Sequence, residues 1–287
     1  FMPIFLAVGT SMQQKLSGLQ IWVTRPAHQA NTLKKMIIAQ GGQAILFPVI
    51  AIEPIALTKK LVNTLNNLSA IDYIVFISPN AVELGVAALL QYGKIPKHLK
   101  LVTIGQASAR KLQQLSNRSA DISPTDQYNS EALLAHQELQ PGIIEHKQFL
   151  IFRGVGGREL LADTLKKRGA NVHYAEVYQR LKPEVDKEII ELLGTTAAQT
   201  CAESRIITLT SNEGLNNMVK IFSDANNHQA YQQLLLSPIV VVTEKMRRNA
   251  INLGFKNDII IAAKASNEAL IEAIQTWFKK RNKKSLA

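Results

Sequence analysis

Short runs of branched apolar residues recur along the whole chain. Each is followed by a turn bearing hydroxyls or glycine, and then by a stretch with helical spacing. The runs predict strands at 20–24, 44–52, 72–77, 100–104, 148–152, 171–178, 205–210, 239–242 and 258–262. Strands that are apolar on both faces and separated by helices belong in parallel sheets covered on both sides. The spacing predicts helices at 27–40, 79–92, 106–116, 130–138, 156–168, 212–222, 244–253 and 266–280. Gly41, Gly169 and Gly254 fall where helix C-terminal caps belong. Right-handed crossovers between such strands give a doubly wound α/β sheet.

The two halves also echo each other. Ile21 to Pro26 is echoed by Leu150 to Gly154, Ile74 to Asn80 by Ile206 to Asn212, Leu101 to Gly105 by Val240 to Glu244, and Ser130 to Leu134 by Asn267 to Ile271. The copies stand about 130 residues apart, too far for a solenoid. The pattern predicts two doubly wound parallel-sheet domains, duplicated and flavodoxin-like, with a ligand cleft between them. A chain of 287 residues with 46% hydrophobic content can fill two such cores.

Two apolar stretches differ from the rest. Phe47 to Pro54 and Val172 to Arg180 alternate in character, and Pro48 and Pro54 suit an edge or a connector. Read as paired antiparallel connectors, they imply a discontinuous first domain, 18–47 plus 181–278, and a second domain, 52–176. A simple cut near residue 145 is the competing arrangement. Residues 1–17 are expected to lie outside the fold as an N-terminal extension. Residues 279–287 are expected to form a basic, solvated tail.

The net charge of +11 favours a polyanionic partner. The tail carries five of those charges, which leaves about +6 and weakens a nucleic-acid reading. Aromatic content of 6% is also low for base stacking. One cysteine, Cys201, excludes an internal disulfide and fits a reducing cytoplasm. No apolar run reaches the length of a membrane span. The six histidines show no metal-ligand spacing.

In doubly wound sheets, ligands lie beyond the carboxyl ends of the strands. Those ends read Thr24-Arg25-Pro26, Ser78-Pro79-Asn80, Gly105 to Ser108, Arg153 to Arg158, Thr210 to Gly214 and Thr243-Glu244. Hydroxyls and glycines before a helix either cap it or leave main-chain N–H groups to an anion. Arg153-Gly154-Val155-Gly156-Gly157-Arg158 is the sharpest string, yet it matches neither a P-loop nor a dinucleotide fingerprint. Its alternative reading is a tight turn with surface arginines. No hydrolase elbow and no paired carboxylates occur at strand ends. Such a site suits catalysis by holding and shielding a reactive substrate. Tyr178, beside Arg180, is the best acid–base candidate, because a phenol can protonate a leaving oxygen. The alternative is a half-buried hinge tyrosine bonded to backbone.

These strings, taken in order, resemble the uroporphyrinogen-III synthase family over about 18–276. The carriers are Thr24-Arg25-Pro26, Phe47-Pro48, Ser78 to Val82, Gly105 with Ser108-Ala109, Arg153-Gly154, Gly156 to Leu160, Val177 to Arg180 and Thr210-Ser211. The resemblance implies two domains joined by a two-stranded ladder. It implies conversion of the linear tetrapyrrole hydroxymethylbilane into uroporphyrinogen III. Water is lost, a spiro intermediate forms, ring D is inverted and the macrocycle closes, without metal or cofactor. The resemblance assigns the acid role to Tyr178. It assigns substrate binding to Thr24, Arg25, Ser78, Asn80, Ala81, Gly105, Ser108, Arg153, Gly154, Gly156, Arg158, Thr210, Ser211 and Thr243. Thr243-Glu244 replaces a more usual glycine-containing turn, and 194–203 reads as a variable loop.

The expected partner is thus a small polycarboxylate tetrapyrrole, with neither nucleic acid nor membrane involved. Residues 48–54 and 178–184 are the expected hinges of domain closure. A cytoplasmic monomer is expected, since duplication already supplies a pseudo-dimer, and transient contact with the preceding pathway enzyme is compatible with it. The rival from another class is a non-enzymatic, two-lobed anion-binding or regulatory protein.

Overall fold

A computed structural model describes residues 15–124, 129–157, 159–194 and 205–285. In chain order the first elements are β1 (Gln20–Val23), α1 (Ala27–Ala39), β2 (Gln43–Leu46), β3 (Ala51–Pro54), α2 (Lys59–Asn66), β4 (Tyr73–Phe76) and α3 (Pro79–Tyr92). Next come β5 (Lys100–Thr103), α4 (Gln106–Ser116), α5 (Ser130–Leu134), β6 (Gln148–Gly154), α6 (Leu160–Lys167) and β7 (Asn171–Leu181). The chain continues through α7 (Lys187–Gly194), β8 (Arg205–Thr208), α8 (Asn212–Asp224), α9 (His228–Leu235) and β9 (Ile239–Val241). It closes with α10 (Glu244–Asn252), β10 (Ile259–Ile261) and α11 (Asn267–Ser285).

The chain divides into two compact units. One comprises Phe1–Ala51 with Leu181–Ala287, the other Ile52–Arg180. The first unit holds a sheet in the order β10-β9-β8-β1-β2, the second a sheet in the order β3-β7-β6-β4-β5. The pairs β1–β2, β1–β8, β8–β9, β9–β10, β4–β5, β4–β6 and β6–β7 are all parallel. Among the described residues no helix is long and apolar enough to cross a membrane.

Period-2 alternation sorts each sheet's side chains onto two buried faces. In the first unit Trp22, Ile207, Leu209 and Val241 pack into one core, while Ile21, Val23, Ile206 and Val240 pack into the other. In the second, Ile74, Phe76, Leu150 and Phe152 face α3, whereas Tyr73, Val75, Phe149 and Ile151 face α6. Tyr73 stacks on Phe149 at 4.4 Å, and Phe76 on Phe152 at 5.3 Å. Helix α3 lies so close to the second stack that a Cβ on Gly85 would stand 2.7 Å from Phe152. Glycine inside that helix costs about 0.5–1 kcal/mol of propensity. Full burial of each phenylalanine offsets it at about 1.5–3 kcal/mol.

Several expectations are corrected. The run 44–52 is two strands in two different sheets, β2 and β3. Pro48, which has no N–H to donate to a ladder, falls in the segment that joins them. Phe47 and Val49 still follow β1, donating to the carbonyls of Val23 and Thr24 at 2.9 and 3.1 Å. The helix expected from 156 begins at Leu160, because Gly156 turns with φ +72°. The helix expected at 130–138 breaks after Leu134, and the His136 ring nitrogen accepts from the Glu138 N–H of a following 3₁₀ turn.

Three unexpected helices, α2, α7 and α9, bury Leu61 and Leu65, Ile190 and Leu193, and Leu234 and Leu235. Residues 15–17 belong to the fold: Leu16 is 0% exposed and its N–H donates to the Gln40 carbonyl. The last helix continues through the basic run to Ser285. Cys201, Arg158 and most of the expected variable loop lie outside the described residues.

Candidate active site

In the second unit, the carboxyl ends of β4 and β7 meet through two hydroxyls. Ser78 is the N-cap of α3, with extended backbone that cannot join the helix, and its Oγ accepts from the Ala81 N–H at 3.0 Å. The same Oγ lies 3.1 Å from the Tyr178 hydroxyl. Tyr178 is 0% exposed. Its ring packs against Gly154, where a Cβ would stand 2.5 Å from Cε2. The Tyr178 carbonyl accepts from the Val155 N–H at 2.9 Å, and the Arg180 guanidinium sits 5.9 Å from the ring centre.

A register shift aims that ring. β6 and β7 pair one to one until Arg153 meets Glu176, after which Gly154 pairs with Tyr178, leaving Val177 extra. The bulge turns Tyr178 to the face of Ala175 and Val177, away from Tyr174.

Arg153 is turned into its own unit. Its side chain is 2% exposed. Nε donates to the Gly154 carbonyl at 3.2 Å, Nη1 donates to Glu159 at 3.1 Å, and the guanidinium lies 4.3 Å from the Tyr174 ring centre. Glu176 stands 4.0 Å from Nε. The Tyr174 hydroxyl donates to the second oxygen of Glu159. That hydrogen bond, with Arg153 beside it, holds the Glu159 carboxyl below its ordinary pKa. Burial, reinforced by the bond to Glu159, pushes the Tyr174 phenol up to about 12. The network borders a cavity of about 430 Å³, with Ile77, Ile104 and Ile151 as its apolar wall and Asn129 and Ser130 at its polar side. The cavity sits where the chain passes from β4 to β5 on one side and β6 lies on the other, the switch point at which open α/β sheets bind ligands.

In the first unit the strand-end groups are largely engaged. Thr24 Oγ1 donates to the Thr208 carbonyl at 2.5 Å, and Thr208 Oγ1 to the Trp22 carbonyl at 2.9 Å, clamping β1 to β8. Arg25 holds the loop before α11, donating to Asn267 Oδ1 at 2.8 Å and to the Ala265 carbonyl. Its Nε is buried with no partner among the described residues, and burial lowers its pKa. Ser211 caps α8 by accepting from Gly214 N–H at 3.0 Å, and Thr243 caps α10 by accepting from Met246 N–H at 3.1 Å.

The structure therefore brings together Ser78, Ala81, Gly154 and Tyr178, with Arg153 next to Gly154 in β6 and Gly156 in the turn that follows. Asn80 and Ser108 are buried on α3 and α4, and Ala81 is core. Thr210 follows β8 and is half-buried, while Thr243 is exposed. Three expected hydroxyl contacts, at Ser78, Ser211 and Thr243, occupy the N–H groups of Ala81, Gly214 and Met246. Helix α1, after Pro26, and helix α4, after Gly105, begin without a side-chain cap. Glu159 and Tyr174 are not among the site residues expected from sequence. Their only signal was proximity to Gly156-Gly157 and to Tyr178.

A family model described as uroporphyrinogen-III synthase HemD matches residues 31–272. The uroporphyrinogen-III synthase of Escherichia coli is 33% identical over 90% of this chain and all of its own length. That of Salmonella typhimurium is 33% identical over the same shares. Among solved structures, a mutant uroporphyrinogen III synthase from Thermus thermophilus aligns with a TM-score of 0.56 at 17% identity, covering 93% of this chain and 99% of its own. The Helicobacter pylori enzyme aligns with a TM-score of 0.54 at 14% identity, covering 90% and 99%. These two likenesses concern the α/β fold with its two predominantly parallel sheets.

Proposed function

This chain belongs to the uroporphyrinogen-III synthase family, and from that premise we propose that it dehydrates and cyclises hydroxymethylbilane to uroporphyrinogen III, inverting ring D. The family match across 31–272 carries this reading. The comparisons give no support to the rival, a non-enzymatic anion-binding protein.

In our reading Tyr178 is the catalytic acid. Ser78 Oγ has one donor and two acceptor sites, and the Ala81 N–H takes one acceptor site. When Ser78 donates to the phenol oxygen, the Tyr178 proton is free to pass to the departing hydroxyl. The carbon–oxygen bond breaks, water leaves with that proton, and the phenolate left behind retains the Ser78 hydrogen bond. The cation that remains is quenched by the ring-D carbon. The spiro intermediate that results opens and recloses with the ring inverted, and the proton that ring D releases on closure returns the Tyr178 phenolate to the phenol.

The remainder of the work is positional, since a reactive cation closes on the wrong carbon when unguided. The expected donors to substrate carboxylates are main-chain amides at helix starts that lack a capping side chain. The turns at Thr24-Arg25-Pro26 and Gly105 to Ser108 meet that condition. Gly156, Arg158 and Thr210 are also among the expected substrate-binding residues. The similar strand orders of the two sheets support reading the units as duplicated flavodoxin-like domains, 18–47 with 181–278 and 52–176. A monomer acting in the cytoplasm accompanies this proposal.

The test is product analysis after adding hydroxymethylbilane. The type III isomer is expected; type I alone, as formed spontaneously, overturns the proposal. Tyr178→Phe is expected to lower the rate with product identity kept, and an unchanged rate removes the acid role from Tyr178.

A further inference from the structure

We infer that Glu159 and Tyr174 are positioning residues, which act through Arg153 and the Gly154–Gly157 turn to fix the Tyr178 hydroxyl. The inference rests on the acid role proposed for Tyr178. Their contacts form a continuous path. Glu159 is held by both the Tyr174 hydroxyl and Arg153 Nη1. Arg153 lies over the Tyr174 ring, which fixes the guanidinium plane from a second direction. Arg153 Nε then holds the Gly154 carbonyl, and its Nη2 fills the space beside Gly157, only 2.8 Å from where a Cβ would stand. Gly154 in turn supports the Tyr178 ring, and the neighbouring Val155 N–H holds the Tyr178 carbonyl.

The path explains features that substrate binding by Arg153 alone does not. A guanidinium aimed at a substrate carboxylate need not be buried against two carboxylates of its own unit. Nor would it need an aromatic ring beneath it. A guanidinium whose task is to set a turn has to be locked in this way, because supporting groups hold a site only when their own rotamers are fixed. Gly157 is small because Arg153 occupies the position of its side chain.

The experiment is steady-state kinetics on hydroxymethylbilane for Glu159→Gln, Tyr174→Phe and Gly157→Ala, each alone and combined with Tyr178→Phe. Tyr174→Phe keeps the ring beneath Arg153 and removes only the hydroxyl. Gly157→Ala displaces the guanidinium while leaving both partners in place. A misplacement of about 1 Å can cost about 100-fold in rate, so a partial loosening is expected to lower kcat about tenfold, with KM changed less than about twofold. In the Tyr178→Phe background the same changes are expected to have no further effect on kcat, since they act through the missing hydroxyl. A rise in KM with kcat unchanged overturns the inference and makes Arg153 a substrate ligand. An equal fall in kcat in both backgrounds also overturns it and marks a general structural role. If Tyr178→Phe alone keeps the full rate, the acid role fails first, a result separate from the other two.

Discussion

The ring of Tyr178 lies against Gly154 so closely that a Cβ at Gly154 would stand 2.5 Å from Cε2 and 2.7 Å from Cζ. Contact this tight fixes the phenol from below, while Ser78 fixes its hydroxyl from the side. The glycine is needed here for close approach, since Gly154 has no positive φ.

Gly154→Ala is therefore expected to push the Tyr178 ring aside. Overpacking of this kind costs about 1–3 kcal/mol. The Tyr178 main chain is pinned by the Val155 N–H and cannot retreat freely. Thermal unfolding should register the destabilisation. The product assay should show a larger loss of rate than the fall in folded fraction explains.

Ser78 serves a helix and a candidate acid at once, and the two roles separate experimentally. Ser78→Ala removes the cap of α3 and the hydrogen bond to Tyr178. Thr58→Ala removes only a cap, since Thr58 Oγ1 accepts from the Leu61 N–H at 3.2 Å at the start of α2. Thr58→Ala is expected to cost about 1 kcal/mol of stability in denaturant titrations, and Ser78→Ala more, because the buried Tyr178 hydroxyl also loses its partner. Only Ser78→Ala is expected to lower the rate of cyclisation. Equal rates for the two variants would leave Ser78 as a cap and nothing more.

The Glu159–Tyr174 pair makes stability depend on pH at both ends, with signs that follow from the two shifts. The Tyr174 pKa is raised from 10.0 to about 12 on folding. Its contribution is fully present below pH 10 and is lost as pH rises towards 12, because the unfolded chain gives up that proton first. Glu159 is shifted the other way, below 4.5. Its contribution is present above pH 4.5 and is lost as pH falls through the depressed value. Unfolding curves for Tyr174→Phe and the parent are expected to converge between pH 10 and 12. Those for Glu159→Gln and the parent are expected to converge on the acid side. Parallel curves at either end would contradict the assignment.

Much of the fold is readable from local pattern. The strand pairs β4 and β6 or β1 and β8 announce themselves as apolar runs because both faces of each sheet are buried. Ser78, Ser211 and Thr243 mark helix starts because a hydroxyl before a helix satisfies a first-turn N–H. The echo between the halves was less informative than it looked. It aligns β1 with β6 and β4 with β8, yet by sheet position β1 corresponds to β4 and β8 to β6. A strand followed by a capped helix repeats at many positions, so such likeness does not identify equivalent strands.

The sequence by itself determined the α/β class, most of the strands and helix starts, and the tyrosine near a strand end. All of these depend on residues a few positions apart. Only tertiary structure decided that Pro48 separates two sheets, that Leu16 is core and that Arg153 is buried beside Glu159 and Tyr174. It alone decided that the extra residue Val177 turns Tyr178 towards Ser78. Those outcomes depend on pairing register and on the burial of charge by distant segments, and neither leaves a periodic trace along the chain.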